Sequence, residues 1–188
     1  MNIVVFGGSF NPIHTGHAMI ASAVSQLDDV DQVWLMVSPQ NPLKANDELL
    51  PEELRYKLAH LVANECRGVA CSDFEFNLPR PSFTYNTLCR LKEAYPQHNF
   101  RLLIGSDNWK IFDRWRDWKN IISEFGVLVY QRPDAMVAAP FPEGVTLLDN
   151  LPMMLISSSY IRKQMRDGKD IRFLVPDVVY NKLEYGRK

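Results

Sequence analysis

Asn2-Ile-Val-Val-Phe-Gly-Gly-Ser-Phe-Asn-Pro-Ile-His-Thr-Gly-His17 is the stretch whose reading decides the fold. Ile3, Val4, Val5 and Phe6 form an unbroken apolar run, the pattern of a strand buried on both faces. Gly7 and Gly8 are expected to let the backbone turn and approach a ligand, and Asn11-Pro12 marks a further turn. Ile20, Ala21, Val24 and Leu27 recur at helical spacing, which predicts a helix from about Ala18 to Leu27. Strand, glycine loop and helix in that order aim backbone N–H groups and a positive helix end at one volume, where an anion is the natural guest. His14 and His17, three residues apart at the helix entrance, can face that volume and supply donors without a fixed full charge. Helix capping is the competing role for either ring. Neither a Walker Gly-Lys-Ser/Thr nor the G-x-G-x-x-G spacing of a dinucleotide fold is present in this loop.

Gln32 to Ser38 reads as a second buried strand one helix away from the first, a right-handed βαβ unit and so a parallel sheet. The loop Pro39 to Asn46 leaves its carboxyl end, where open α/β sheets place ligands, and it carries Lys44. A helix is expected from Pro51 to about Glu65, with Leu54, Leu58, Leu61 and Val62 as its core stripe and His60 near the partly buried face, without chemistry. Further strands are expected over Val69–Phe76, Asn99–Gly105, Phe125–Gln131 and Val145–Leu148. Asp107, just past the second of these strand ends, suits ribose hydroxyls or metal-bound water, with helix capping as its alternative. Helices are expected from Phe83 or Thr84, through Asp107–Glu124 in two pieces, from Ser157 to Gly168, and after Pro176.

A chain of 188 residues fits one α/β domain, and its net charge of −1 argues against a general nucleic-acid or membrane surface. An anionic substrate must then be held by a few placed cations. Cys66, Cys71 and Cys89 lack C-x-x-C spacing and read as small core residues. The chain begins directly on a core strand and has no run of 18 apolar residues, so a cytoplasmic setting is expected. Whether it forms a homo-oligomer is left open.

Gly7-Gly-Ser-Phe-Asn-Pro-Ile-His-Thr-Gly-His17 resembles the H-x-G-H signature of the nucleotidyltransferase superfamily, in the form found in bacterial nicotinate-nucleotide adenylyltransferases. Two further stretches are similar to that family: Arg80-Pro-Ser-Phe-Thr-Tyr-Asn-Thr-Leu88 to its R-P-S-Y-T-x-D-T-L, and Ile156-Ser-Ser-Ser-Tyr-Ile-Arg162 to its I-S-S-T-x-I-R. Asn11 stands where many members have aspartate, so it is assigned a turn and no charge, and Ser159 replaces a usual threonine while keeping the hydroxyl.

The resemblance covers nearly the whole chain. It implies one Rossmann-like domain over residues 1–188, α/β, doubly wound, mostly parallel, with helices on both faces, in the nucleotidyltransferase and adenine nucleotide alpha hydrolase-like class. It implies adenylyl transfer from ATP to nicotinate mononucleotide, with Mg²⁺ on the triphosphate, no metal site of the protein's own, and neither nucleic acid nor membrane as partner. His14, His17, Lys44 and Arg162 are the implied catalytic residues. Gly7, Gly8, Ser9, Phe10, Gly105, Asp107, Ser157, Ser158 and Ile161 would hold ATP, and Thr84, Tyr85, Asp107 and Trp115 the nicotinate nucleotide. Trp109 and Trp118 are left to packing. The alternatives are a sister enzyme taking nicotinamide mononucleotide, phosphopantetheine or a cytidylyl-transfer substrate, and a nucleotide-binding module that turns nothing over.

Overall fold

The structure is a computed structural model that describes residues 1–39 and 49–185. Six parallel strands form one sheet: β1 (Asn2–Gly8), β2 (Gln32–Val37), β3 (Val69–Ser72), β4 (Asn99–Gly105), β5 (Val127–Tyr130) and β6 (Val145–Leu148), in the spatial order β3-β2-β1-β4-β5-β6. β1 lies at the centre, with Phe6 opposite Leu35 on one side and Leu103 on the other. The chain builds outward to β3 and then restarts beside β1 with β4, so the order reverses between β1 and β4. A crevice opens there at the carboxyl ends of the strands, where such sheets bind their ligands.

Helices cover both faces: α1 (Thr15–Val24), α2 (Glu52–Asn64), α3 (Thr84–Ala94), α4 (Ser106–Trp109), α5 (Trp118–Glu124), α6 (Ser158–Arg166) and α7 (Asp177–Tyr185). The alternation of a strand divides β1 between two cores. Val4 and Phe6 pack with Val24, Leu58, Ile161 and Val179 from α1, α2, α6 and α7, whereas Ile3 and Val5 pack with Leu88, Leu91 and Ile121 from α3 and α5. No described helix is long and apolar enough to cross a membrane.

Several boundaries differ from expectation for local reasons. α1 starts at Thr15 because His14 caps it, and it ends at Val24, leaving Leu27 in the following turn. Gly7 and Gly8 do not make the turn: they extend β1, paired with Met36 and Val37, and Phe10 bends the chain at φ 43°. The strand expected over Val69–Phe76 stops at Ser72, whose hydroxyl accepts a bond from the Phe74 N–H, and a 3₁₀ turn follows over Phe74–Asn77. Cys71 and Cys89 are half-buried and pack against the two cores, Cys66 is half-buried outside them, and His60 is exposed. In α2 the fully packed stripe is Arg55, Leu58, Ala59, Val62 and Ala63, rotated from the leucine stripe read in sequence.

Candidate active site

The crevice has a volume of about 350 Å³. Gly7, Gly8, Ser9, Phe10 and His17 line one end together with Ser158, and Gly105 and Asp107 lie at its middle. Thr84 and Trp115 line the other end. Parts of the chain far apart in sequence, the first loop and the start of α6, are tied by Ser158 Oγ donating to the Pro12 carbonyl at 3.0 Å.

His14 and His17 form a reciprocal cap. The His17 N–H donates to His14 Nδ1 at 3.4 Å, the His14 N–H donates to His17 Nδ1 at 3.3 Å, and the rings stack with centroids 3.6 Å apart. Accepting at Nδ1 means that each ring, when neutral, carries its proton on Nε2. Capping and ligand donation are therefore compatible, because they use opposite nitrogens. Burial, with a smaller push from Arg132, lowers the His14 pKa to about 4, so this ring is a neutral donor near pH 7. His14 is 5% exposed and lines a cavity of about 30 Å³ behind the crevice, while His17 borders both spaces.

The glycines of the motif have separable reasons. A Cβ at Gly7 would meet nothing within 4 Å and would stand in the crevice itself. A Cβ at Gly16 would come 2.8 Å from Ile156 Cγ2 and 3.1 Å from His14 Nδ1. Gly16→Ala is expected to lose about 1–3 kcal/mol through overpacking. Thermal melting checks this, and an unchanged Tm would mean that Ile156 yields. At Gly105 the added carbon would collide with Asp107 Oδ1 and press on Arg132 and Tyr130. Gly105 holds the N-cap position of α4, so Asp107 is not the cap, and its carboxylate faces Arg132 Nε at 3.7 Å.

The other end is built around α3. Phe83 is its N-cap and makes no side-chain cap, leaving the first backbone N–H groups without intrahelical partners. Trp115 packs on Phe112, and its buried indole N–H has no partner within the described residues. An orphaned buried donor in a crevice marks a place where a ligand can complete the bonding. Trp109 stacks on Phe112 and meets Phe141 at a tilt, and Trp118 packs at the edge of the same core, the packing roles expected of both.

Some expected contacts lie elsewhere. Ile161 is fully buried in the core and offers no side-chain surface to the crevice. The Tyr85 hydroxyl turns outward to Glu124 at 2.9 Å, so only the backbone of Tyr85 remains for the expected role. Ser157 caps α6, and Arg162 stands behind the loop, donating to the Asn11 carbonyl at 2.9 Å and to Ser159 Oγ at 3.4 Å. Lys44 lies outside the described residues.

Other crevice residues were not singled out from the sequence. Arg114, Arg116 and Arg132 supply the placed cations that the near-neutral net charge calls for. Arg132 was signalled by its position just past β5, on the ligand side of the sheet. Glu75 is buried, accepts bonds from Thr87 Oγ1 at 2.9 Å and Ser82 Oγ at 3.3 Å, and has its pKa raised by burial. It anchors the entrance of α3, and its signal was an acid between Phe74 and Phe76.

A switch-point crevice with a reciprocal imidazole cap at its loop defines a nucleotide-handling α/β protein, and the chain belongs to the cytidylyltransferase-like family, whose sequence profile matches residues 5–164. Within it, the chain falls among the nicotinate-nucleotide adenylyltransferases. It is 46% identical over 180 residues to a probable nicotinate-nucleotide adenylyltransferase of Bacteroides fragilis, covering 95% of this chain and 89% of that protein. The corresponding protein of Bacteroides thetaiotaomicron is 45% identical over 186 residues, covering 98% and 92%. In fold, the chain matches the Plasmodium falciparum nicotinic acid mononucleotide adenylyltransferase complexed with NaAD, with a TM-score of 0.81, 22% identity and coverage of 98% and 96%.

Proposed function

We propose that this protein transfers the adenylyl group of ATP to nicotinate mononucleotide, giving nicotinate adenine dinucleotide and pyrophosphate. The observation that carries this reading is the continuity of the crevice, from the glycine loop and His17 at one end to Thr84 and Trp115 at the other. The phosphate-handling loop and the entrance of α3 thus face one common space. An oxygen of the acceptor phosphate forms a bond to the α-phosphorus of ATP, the bond from that phosphorus to the bridging oxygen breaks, and its electron pair leaves with pyrophosphate.

An ionised phosphate needs no protein nucleophile, so the work of the chain is positioning and charge stabilisation. His17 and the neutral His14 would donate to phosphate oxygens, with Arg132 adding charge beside them. Arg162 and Lys44 are assigned the remainder of the triphosphate, Arg162 through the loop it braces. Magnesium would enter on ATP and neutralise triphosphate charge. Mg²⁺ characteristically takes one or two carboxylates plus substrate phosphates, which fits Asp107, the exposed one of the two carboxylates that line the crevice, the other, Glu75, being buried and bonded to Thr87 and Ser82.

The carboxylate of the acceptor is placed at the entrance of α3. Backbone N–H groups at Thr84 and Tyr85 only donate, so they suit both oxygens of a carboxylate and leave a carboxamide NH₂ facing another donor, a loss on the order of 1–3 kcal/mol. Pyrophosphate release from ATP, measured with nicotinate mononucleotide, nicotinamide mononucleotide and phosphopantetheine, tests the assignment. Nicotinate mononucleotide should be preferred, and equal specificity constants for the two mononucleotides would replace the reading by a dual-specificity enzyme. Trp115→Ala is expected to weaken both mononucleotides by roughly tenfold, from lost stacking and the lost indole N–H, with their ratio largely kept. A variant that changed the ratio alone would assign discrimination to Trp115 instead of the helix entrance.

A further inference from the structure

Arg55 is the largest fully buried side chain among the described residues, at 1% exposure, and no step described above uses it. It stands on α2 at a position that helical spacing assigns to the core, four residues before Ala59. Among the described residues its guanidinium donates to four backbone carbonyls: Nε to Leu50 at 3.0 Å, one terminal nitrogen to Ser9 at 2.6 Å and Ser38 at 2.7 Å, and the other to Pro39 at 2.8 Å. Those carbonyls belong to the glycine loop, the two residues that follow β2 and the residue before the N-cap of α2, brought together beside the loop end of the crevice. Leu50 is bound to the loop a second time, its N–H donating to Asn11 Oδ1 at 2.9 Å.

We propose that Arg55 is a positioning residue for ATP, which sets the direction in which the glycine loop presents its backbone donors. In a trans peptide the C=O and the following N–H point in opposite directions. Drawing the Ser9 carbonyl onto Arg55 therefore turns the Phe10 N–H away from α2, on a stretch where both residues border the crevice. The guanidinium does this for three segments at once because its donors form a rigid planar fork. A lysine would keep the charge and could not hold four carbonyls in that geometry.

The inference rests on ATP occupying the loop end, as in the proposed reaction, and direct binding measurements separate the two. Arg55→Lys, checked for a cooperative thermal melt, should lose tenfold or more in ATP affinity by calorimetry while nicotinate mononucleotide binds within about twofold of wild type. Equal losses for both ligands, or a lowered Tm with ATP affinity intact, would reduce Arg55 to a packing role. Should the variant fail to fold, an amide-resolved NMR titration of the wild type decides. ATP should shift the Phe10 amide and the Arg55 Nε–H while nicotinate mononucleotide moves neither, and a Phe10 amide unmoved by ATP, or moved equally by both, overturns the proposal. Because affinity is read without turnover, a wild type that bound ATP but made no dinucleotide would sink the assigned reaction and leave this test standing.

Discussion

His14→Asn is expected to keep wild-type stability near pH 7 and to lower kcat by roughly 10²–10³, the usual loss when one donor to developing phosphoryl or oxyanion charge is removed. Asparagine is chosen because the wild-type ring does two jobs. As N-cap it accepts the His17 N–H, and asparagine caps as well as any residue. What asparagine cannot restore is an Nε2 donor at the far side of the imidazole. Steady-state kinetics beside thermal melts separate the two roles, and near-normal turnover would leave His14 as a cap alone.

The same variant tests the electrostatics. With the folded-state pKa lowered to about 4 from an ordinary 6.5, the unfolded chain takes up the proton first. The neutral ring's contribution to stability is therefore complete above about pH 6.5 and is lost as the pH falls through about 4. His14→Asn carries no such titration, so denaturant unfolding between those pH values should give it the flatter curve. Parallel curves would show that the burial of this ring does not govern acid stability.

Arg162→Lys is expected to weaken ATP binding by about tenfold or more despite equal charge. Two prongs of the guanidinium already join Asn11 and Ser159, so the side chain fastens the loop exit to the start of α6. An ammonium offers one compact point of charge and cannot keep both bonds while facing a phosphate. Calorimetry with ATP reads the loss directly, and indistinguishable affinities for the two forms would remove Arg162 from the triphosphate site.

Much of this architecture is legible in the chain itself. The run Ile3–Phe6 can only be a strand covered on both faces, because β1 is the one strand flanked by β2 and β4 and sandwiched by two helical layers. The helix start at Ser158 follows from the capping chemistry of Ser157, and the start at Thr84 and the parallel direction of the sheet follow from short-range spacing. The three stretches that resemble the family also lie where the fold needs them, at strand ends or helix entrances on the ligand side.

Position along the chain fixes where an element begins, and it carries no statement of which distant side chains share a wall. That Trp115 lines the crevice with a buried indole N–H that has no partner among the described residues, while Tyr85 turns out to Glu124, depends on how α3 and α5 pack against the sheet. That Ile161 enters the core, although it lies in a stretch that resembles the family's motif, depends on which face α6 presents to β1. Arg55 makes the division sharpest. A cation in an apolar helical stripe reads as a defect until carbonyls from three separate segments converge on it, and only the closed tertiary structure brings those dipoles to one point.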